Sequence, residues 1–162
     1  MDGKELTITR VFNAKRDLVW KAFTNPEIFR QWWGPKEFIT PVVKIDLKVG
    51  GEHFNCMQAP DGETFCSKGV YKEIDPPRKL VVTDSFADEE GNIVPATYHE
   101  LGEGFPMEML LKISFEEQDN KTKITIKHSD VSNINESELN DMRQGWIESL
   151  DKLDECLSKC KI

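Results

Sequence analysis

No apolar run in this sequence approaches the roughly 20 residues that span a bilayer, and its opening MDGKELTITR lacks the apolar stretch of a secretory signal. The expectation is a cytoplasmic chain with no membrane insertion. Basic residues are scarce as well, with 21 Lys and Arg against 29 Asp and Glu and a formal charge of −8. Nucleic acid requires a basic footprint, so it is not an expected partner. The four cysteines, Cys56, Cys66, Cys156 and Cys160, contain no CxxC pair, and a chain of 162 residues can build a core without cross-links. The spacing predicts structural thiols. His53, His99 and His128 lie in separate segments and share no ligand spacing with one another or with a cysteine, so neither a metal nor another cofactor is expected. Gly102-Glu103-Gly104 lacks the further glycine and the lysine of a phosphate loop.

The length is that of one domain, residues 1–162, with 1–4 and 159–162 expected to fray. Glu5 to Val11 alternates with period two and is rich in Thr, Ile and Val, which predicts a first strand. The period then changes. Leu18, Val19, Ala22 and Phe23 share one helical face, with Asn13 as an available cap, and Asn25-Pro26-Glu27 opens a second short helix carrying Ile28, Phe29, Trp32 and Trp33. Strands follow. Val43, Ile45, Leu47 and Val49 alternate with polar residues before Gly50-Gly51. Pro60-Asp61-Gly62 predicts a hairpin, Gly69 a bulge or close approach, and Asp75-Pro76-Pro77 a break. Residues 88–106 form a loop long enough to serve as a lid. Met107, Met109, Leu111, Ile113 and Phe115 then mark one face of a hairpin strand. At the end, Asn135 and Glu138 have capping-box spacing, and Leu139, Met142, Trp146, Leu150, Leu153 and Leu157 give one stripe along a helix of about 35 Å.

The order predicts an α+β protein: a curved antiparallel sheet of six or seven strands wrapped around a long C-terminal helix, with two short helices between strands 1 and 2. A curved sheet cannot touch a straight helix along its whole length, so a mostly apolar hollow is expected between them. Phe29, Trp33, Val43, Ile45, Met109, Leu111, Ile113, Trp146 and Leu150 are the candidate walls, with Asp84 and Tyr98 as candidate polar contacts. Asp84 shares the parity of Leu80, Val82 and Phe86, which makes it either a buried polar contact or, on a bulged strand, a residue facing water. No nucleophile, base and orienting group can be assembled from the spacing, so the chain is read as no enzyme. A cyclase or dehydratase would have to rely on Asp84, Tyr98 and His99.

Four segments carry a family resemblance: VWKAFTNPEIFRQWWGP, VGGEHFNCMQAPDG, GVYKEIDPPRKLV and RQGWIESLDKL. In this order they resemble the family related to the C-terminal domain of the activator of the ninety-kilodalton heat-shock chaperone's ATPase, within the START-like, birch-pollen-allergen-like (SRPBCC) superfamily. The resemblance runs from about Leu6 to Leu157. It implies the helix-grip fold and a cavity for a lipid, sterol or polyketide-like molecule, with Trp32, Trp33 and Trp146 at signature positions. The partner it implies is therefore a small hydrophobic ligand; a chaperone or other protein bound at the surface is the alternative.

Overall fold

The computed structural model describes residues 5–159, so fraying expected at 1–4 and 160–162 lies outside the described residues. Lys159, expected to fray, is instead the last residue of the final helix. Period-two alternation becomes β1, Glu5–Phe12, with Leu6, Ile8 and Phe12 inward. Two short helices follow, α1 (Arg16–Thr24) and α2 (Pro26–Trp32). Asn25 caps α2 as expected, its side chain accepting from the amides of Glu27 at 2.9 Å and Ile28 at 3.2 Å. Asn13 does not cap α1: the N-cap position falls on Lys15, which makes no side-chain cap bond.

The strands are β2 (Ile39–Ile45), β3 (Glu52–Gln58), β4 (Thr64–Asp75), β5 (Lys79–Ala87), β6 (Met109–Gln118) and β7 (Lys121–Ser129). They form one antiparallel curved sheet in the order β1-β7-β6-β5-β4-β3-β2. The helix α3, Glu136–Lys159, lies in its grip. Leu47 and Val49 were expected to continue β2, but both are exposed, because the chain turns at Asp46 and returns through Gly51, whose Cα sits against the Asp46 carbonyl with no room for a side chain. Met107 likewise stays outside β6 and exposed, since pairing with β5 begins at Met109.

The cysteine expectation needs correction. Cys56 and Cys66 face each other in the β3–β4 register with Cα atoms 4.0 Å apart and are joined as a disulfide. Spacing could not reveal it, because the pairing is made by the hairpin register rather than by local sequence.

Gly69 is a close approach. An added Cβ would fall on the Thr83 carbonyl of the neighbouring strand, and Thr83 uses its hydroxyl to accept from the Val70 amide at 2.8 Å. Gly69→Ala is expected to force β4 away from β5 and destabilise the fold by about 1–3 kcal/mol. Urea unfolding checks this, and a midpoint equal to that of the unaltered protein would mean the strands are not held this tightly.

Candidate functional site

α3 is buried where Trp146, Ser149, Leu150, Leu153 and Cys156 meet the core, whereas Leu139 and Met142 in its first turns are only half-buried. The first half of the helix stands off the sheet. Between them lies an open-sided chamber of about 280 Å³ beside an inner pocket of about 60 Å³, the two sharing Trp33, Ser67, Asp84 and Trp146 as wall residues. The outer volume is at the small end of ligand pockets. The inner one has room for about two waters.

Trp33 reaches this hollow because the chain is held just after it. Gly34 has a φ of 103°, a conformation open to glycine, and its amide donates to the Ser149 hydroxyl at 3.1 Å. The Lys152 ammonium donates to the carbonyls of Pro35 and Phe38, each at 3.1 Å. Trp32 points the other way, fully buried with its indole N–H donating to the Ala22 carbonyl at 2.9 Å. The adjacent tryptophans thus divide the work, one anchoring α2 in the core and one forming a wall. Phe29 stacks on Trp33 at 4.9 Å, and Trp33 meets Trp146 edge-on at 5.0 Å.

Of the expected wall residues, Phe29, Trp33, Asp84, Met109, Leu111, Ile113 and Trp146 line the hollow. Val43 and Leu150 are buried in the core outside it, and Ile45 packs against that core. Val43 and Ile45 lie on β2, which packs against α2, and Leu150 lies where α3 is seated in the core. Tyr98 is exposed on the long loop and is not a wall. That loop is tied down by the buried His99, whose Nε2 lies 2.9 Å from the Ala87 carbonyl, and by the Gly102 amide donating to Glu138 at 2.7 Å. Leu101 and Phe105, rather than Tyr98, present it to the outer chamber. Glu138 therefore bonds the loop as well as Asn135, whose side chain accepts from the Glu138 amide at 2.8 Å.

Polar groups missed as wall residues converge here. His53, Asn55 and Tyr71 line the inner pocket, and His128 the outer chamber. Asn55 donates through Nδ2 to His53 Nε2 at 3.0 Å, which leaves the Nδ1 proton of His53 for the Tyr71 oxygen at 3.3 Å. Trp146 donates its indole N–H to His128 Nε2 at 2.8 Å. The proton of neutral His128 is then on Nδ1, which has no partner among the described residues; Trp33 Nε1 and Asn55 Oδ1 are buried and equally unpartnered among them. The signal available in sequence was the i, i+2 pairing of His53 with Asn55 on one strand face, polar residues where an apolar pair would serve a closed core.

Asp84 faces the hollow from β5 rather than water, because the irregularity in the β4–β5 pairing falls at Tyr71–Glu73 and leaves the parity of Asp84 intact. It makes no hydrogen bond or ion pair among the described residues. Burial pushes its carboxyl up to about 6 and holds both His53 and His128 down at about 4, so the histidines are neutral near pH 7. A unit charge brought to about 4 Å from that carboxylate is worth roughly 4 kcal/mol at an effective dielectric of 20, against about 1 kcal/mol net for a neutral hydrogen bond. Desolvation of the guest offsets part of that Coulomb attraction, whereas the hydrogen-bond figure is already net, so the direction alone follows: the sign of a guest's charge matters at this wall.

A long helix gripped by a curved antiparallel sheet, with a lined hollow between them, defines a helix-grip protein of the START-like kind. The model of the family described as Activator of Hsp90 ATPase homolog 1-like protein matches residues 13–158, and the chain belongs to that family. No curated protein matches it. A solution structure of an Arthrobacter aurescens protein is similar at 26% identity and a TM-score of 0.80, covering 97% of this chain and 87% of that one. A Nitrosomonas europaea crystal structure shares the fold at 23% identity and a TM-score of 0.77, covering 96% and 94%. So does the AHSA1 protein of Silicibacter pomeroyi, at 18% identity and 0.76, covering 96% and 98%.

The shifts make opposite predictions for stability. The folded histidines titrate below the 6.5 of unfolded ones, so their contribution is complete above pH 6.5 and is lost as pH falls toward 4. Asp84 is raised from 3.8, so stability is regained as pH falls through about 6 toward 3.8. His128→Gln, which keeps an acceptor for Trp146, should remove about 2 kcal/mol of the loss between pH 7.5 and 5, and Asp84→Asn should deepen that loss by about 1 kcal/mol. Urea unfolding at the two pH values reads both, and a His128→Gln chain that tracks the parent across this range contradicts the assignment.

Proposed function

We propose that this chain is a non-enzymatic binding module that takes one small, mostly apolar molecule of the lipid, sterol or polyketide kind into the hollow beside Trp146. The supporting observation is the pairing of apolar walls with partnerless polar atoms. Trp33 Nε1, His128 Nδ1 and Asn55 Oδ1 are buried without a hydrogen bond among the described residues, so the walls of the hollow are not built for stability alone. Family membership favours a ligand-binding or interaction module. The reading as a surface partner of a chaperone assumed a filled interior, and the hollow weighs against that assumption.

Non-enzymatic action fits the state of the histidines. His128 uses one ring nitrogen inside the fold and His53 both, and a conjugate acid at about 4 makes a weak base at neutral pH. The cytoplasmic reading carries a tension with Cys56–Cys66, since structural disulfides persist chiefly in oxidising compartments.

Gly145 offers a clean test. It lies in α3 at the outer chamber, and an added Cβ would meet only Pro35 Cγ, at 3.9 Å. Gly145→Leu should fill the chamber while improving helix propensity by up to about 1 kcal/mol. Amide spectra recorded against a panel of lipid- and polyketide-like molecules should show shifts at Met109, Ile113 and Trp146 in the parent and at least a tenfold weaker response in the variant. Uniformly unchanged parent spectra would remove the proposal.

A further inference from the structure

The walls of the hollow carry an imbalance of charge. Asp84 lines both chambers, and Glu138 and Asp141 border the outer one. Lys68 is the sole cation bordering either chamber among the described residues, and its ammonium is already engaged, donating to the Gly91 carbonyl at 3.0 Å and lying 3.6 Å from Glu52. Nothing in the hollow is available to neutralise a ligand anion. A carboxylate or phosphate would enter a low-dielectric cleft facing Asp84 with no counter-charge.

From this geometry we infer that the ligand is an organic cation: an apolar, ring-sized body carrying a protonated amine, with the amine directed at Asp84 and the body held between Trp33, Trp146 and Met109. The inference rests on the binding reading above and names its ligand class. The aromatic walls agree with it, since an ammonium is attracted to the faces of tryptophan rings as well as to a carboxylate. Burial already makes the Asp84 carboxylate costly to ionise, and a cation placed beside it supplies the pairing the fold omits.

Three compounds of equal shape separate the possibilities: 1-naphthylmethylamine, 1-naphthalenemethanol and 1-naphthoate, titrated into the full chain at pH 7.5 by calorimetry and by the indole N–H resonances of Trp33 and Trp146. The amine should bind at least tenfold more tightly than either of the others, and that advantage should fall to threefold or less in Asp84→Asn. An alcohol or acid that binds as well as the amine overturns the cation assignment while leaving the hollow a binding site. An amine preference unchanged in Asp84→Asn overturns the role given to that carboxylate. Absence of binding by all three, with no indole shift, counts against the proposed function and removes this inference with it. The comparison within the parent stands even if the variant fails to fold.

Discussion

A straight helix of 24 residues cannot follow a sheet that bends around it, and the remaining features of this molecule answer that mismatch. One end of α3 is seated: Leu150 and Leu153 are fully buried, Arg10 of β1 lies 2.7 Å from Asp151, and Lys152 clasps the chain after α2. The other end is held at a distance, by Glu138 on Gly102 and by the Arg143 guanidinium donating to the Thr7 carbonyl at 3.1 Å. Trp146 stands where the two surfaces diverge, and its indole N–H ties the helix to His128 on the sheet floor. The hollow is the space beyond that tie.

The polar pairing at that point sets the protonation of the site. Trp146 can only donate, so His128 Nε2 must accept and the ring must be neutral with its proton on the unpartnered Nδ1. His53 is fixed similarly by Asn55 and Tyr71, though its second nitrogen is used. Burial reinforces both, because charging either ring would place a cation in surroundings poorer in water than bulk solvent. The same burial acts in the reverse direction on Asp84. One cause thus keeps two bases neutral and makes one acid unusually easy to protonate.

Much of this frame could be read from residues alone. Alternation found the strands, Asn25-Pro26 found the start of α2, Pro60-Asp61-Gly62 found the hairpin, and the stripe from Leu139 to Leu157 found the helix that had to cover the sheet. These are local signals, and they survived. Distances between segments were not encoded locally. Cys56 meets Cys66 because of strand register; His53 joins Asn55 and Tyr71 because β3 and β4 are neighbours; Val43 and Ile45 fall outside the hollow because β2 packs against α2, and Leu150 because α3 is seated in the core there. Tyr98 looked like a lid residue because its loop is long, yet the loop is spent on packing His99 and capping the approach to α3, which leaves the ring outside.

What distinguishes this hollow from a packing fault is its chemistry. A void left by imperfect side-chain fit is lined by hydrocarbon and stays dry. Here the unpaired carboxyl of Asp84 lines a space walled by Phe29, Trp33, Met109 and Trp146, and an indole N–H, an imidazole N–H and an amide oxygen of the lining residues are buried in those walls without partners among the described residues. Each unmatched group costs about 1–3 kcal/mol when buried, so apolar substitutes would make a more stable domain. Local conflicts of this kind concentrate where a fold serves something besides its own stability. The neighbouring tryptophans make the same argument in miniature: Trp32 found an acceptor in the Ala22 carbonyl of α1, whereas the identical group of the next residue, Trp33, has none among the described residues.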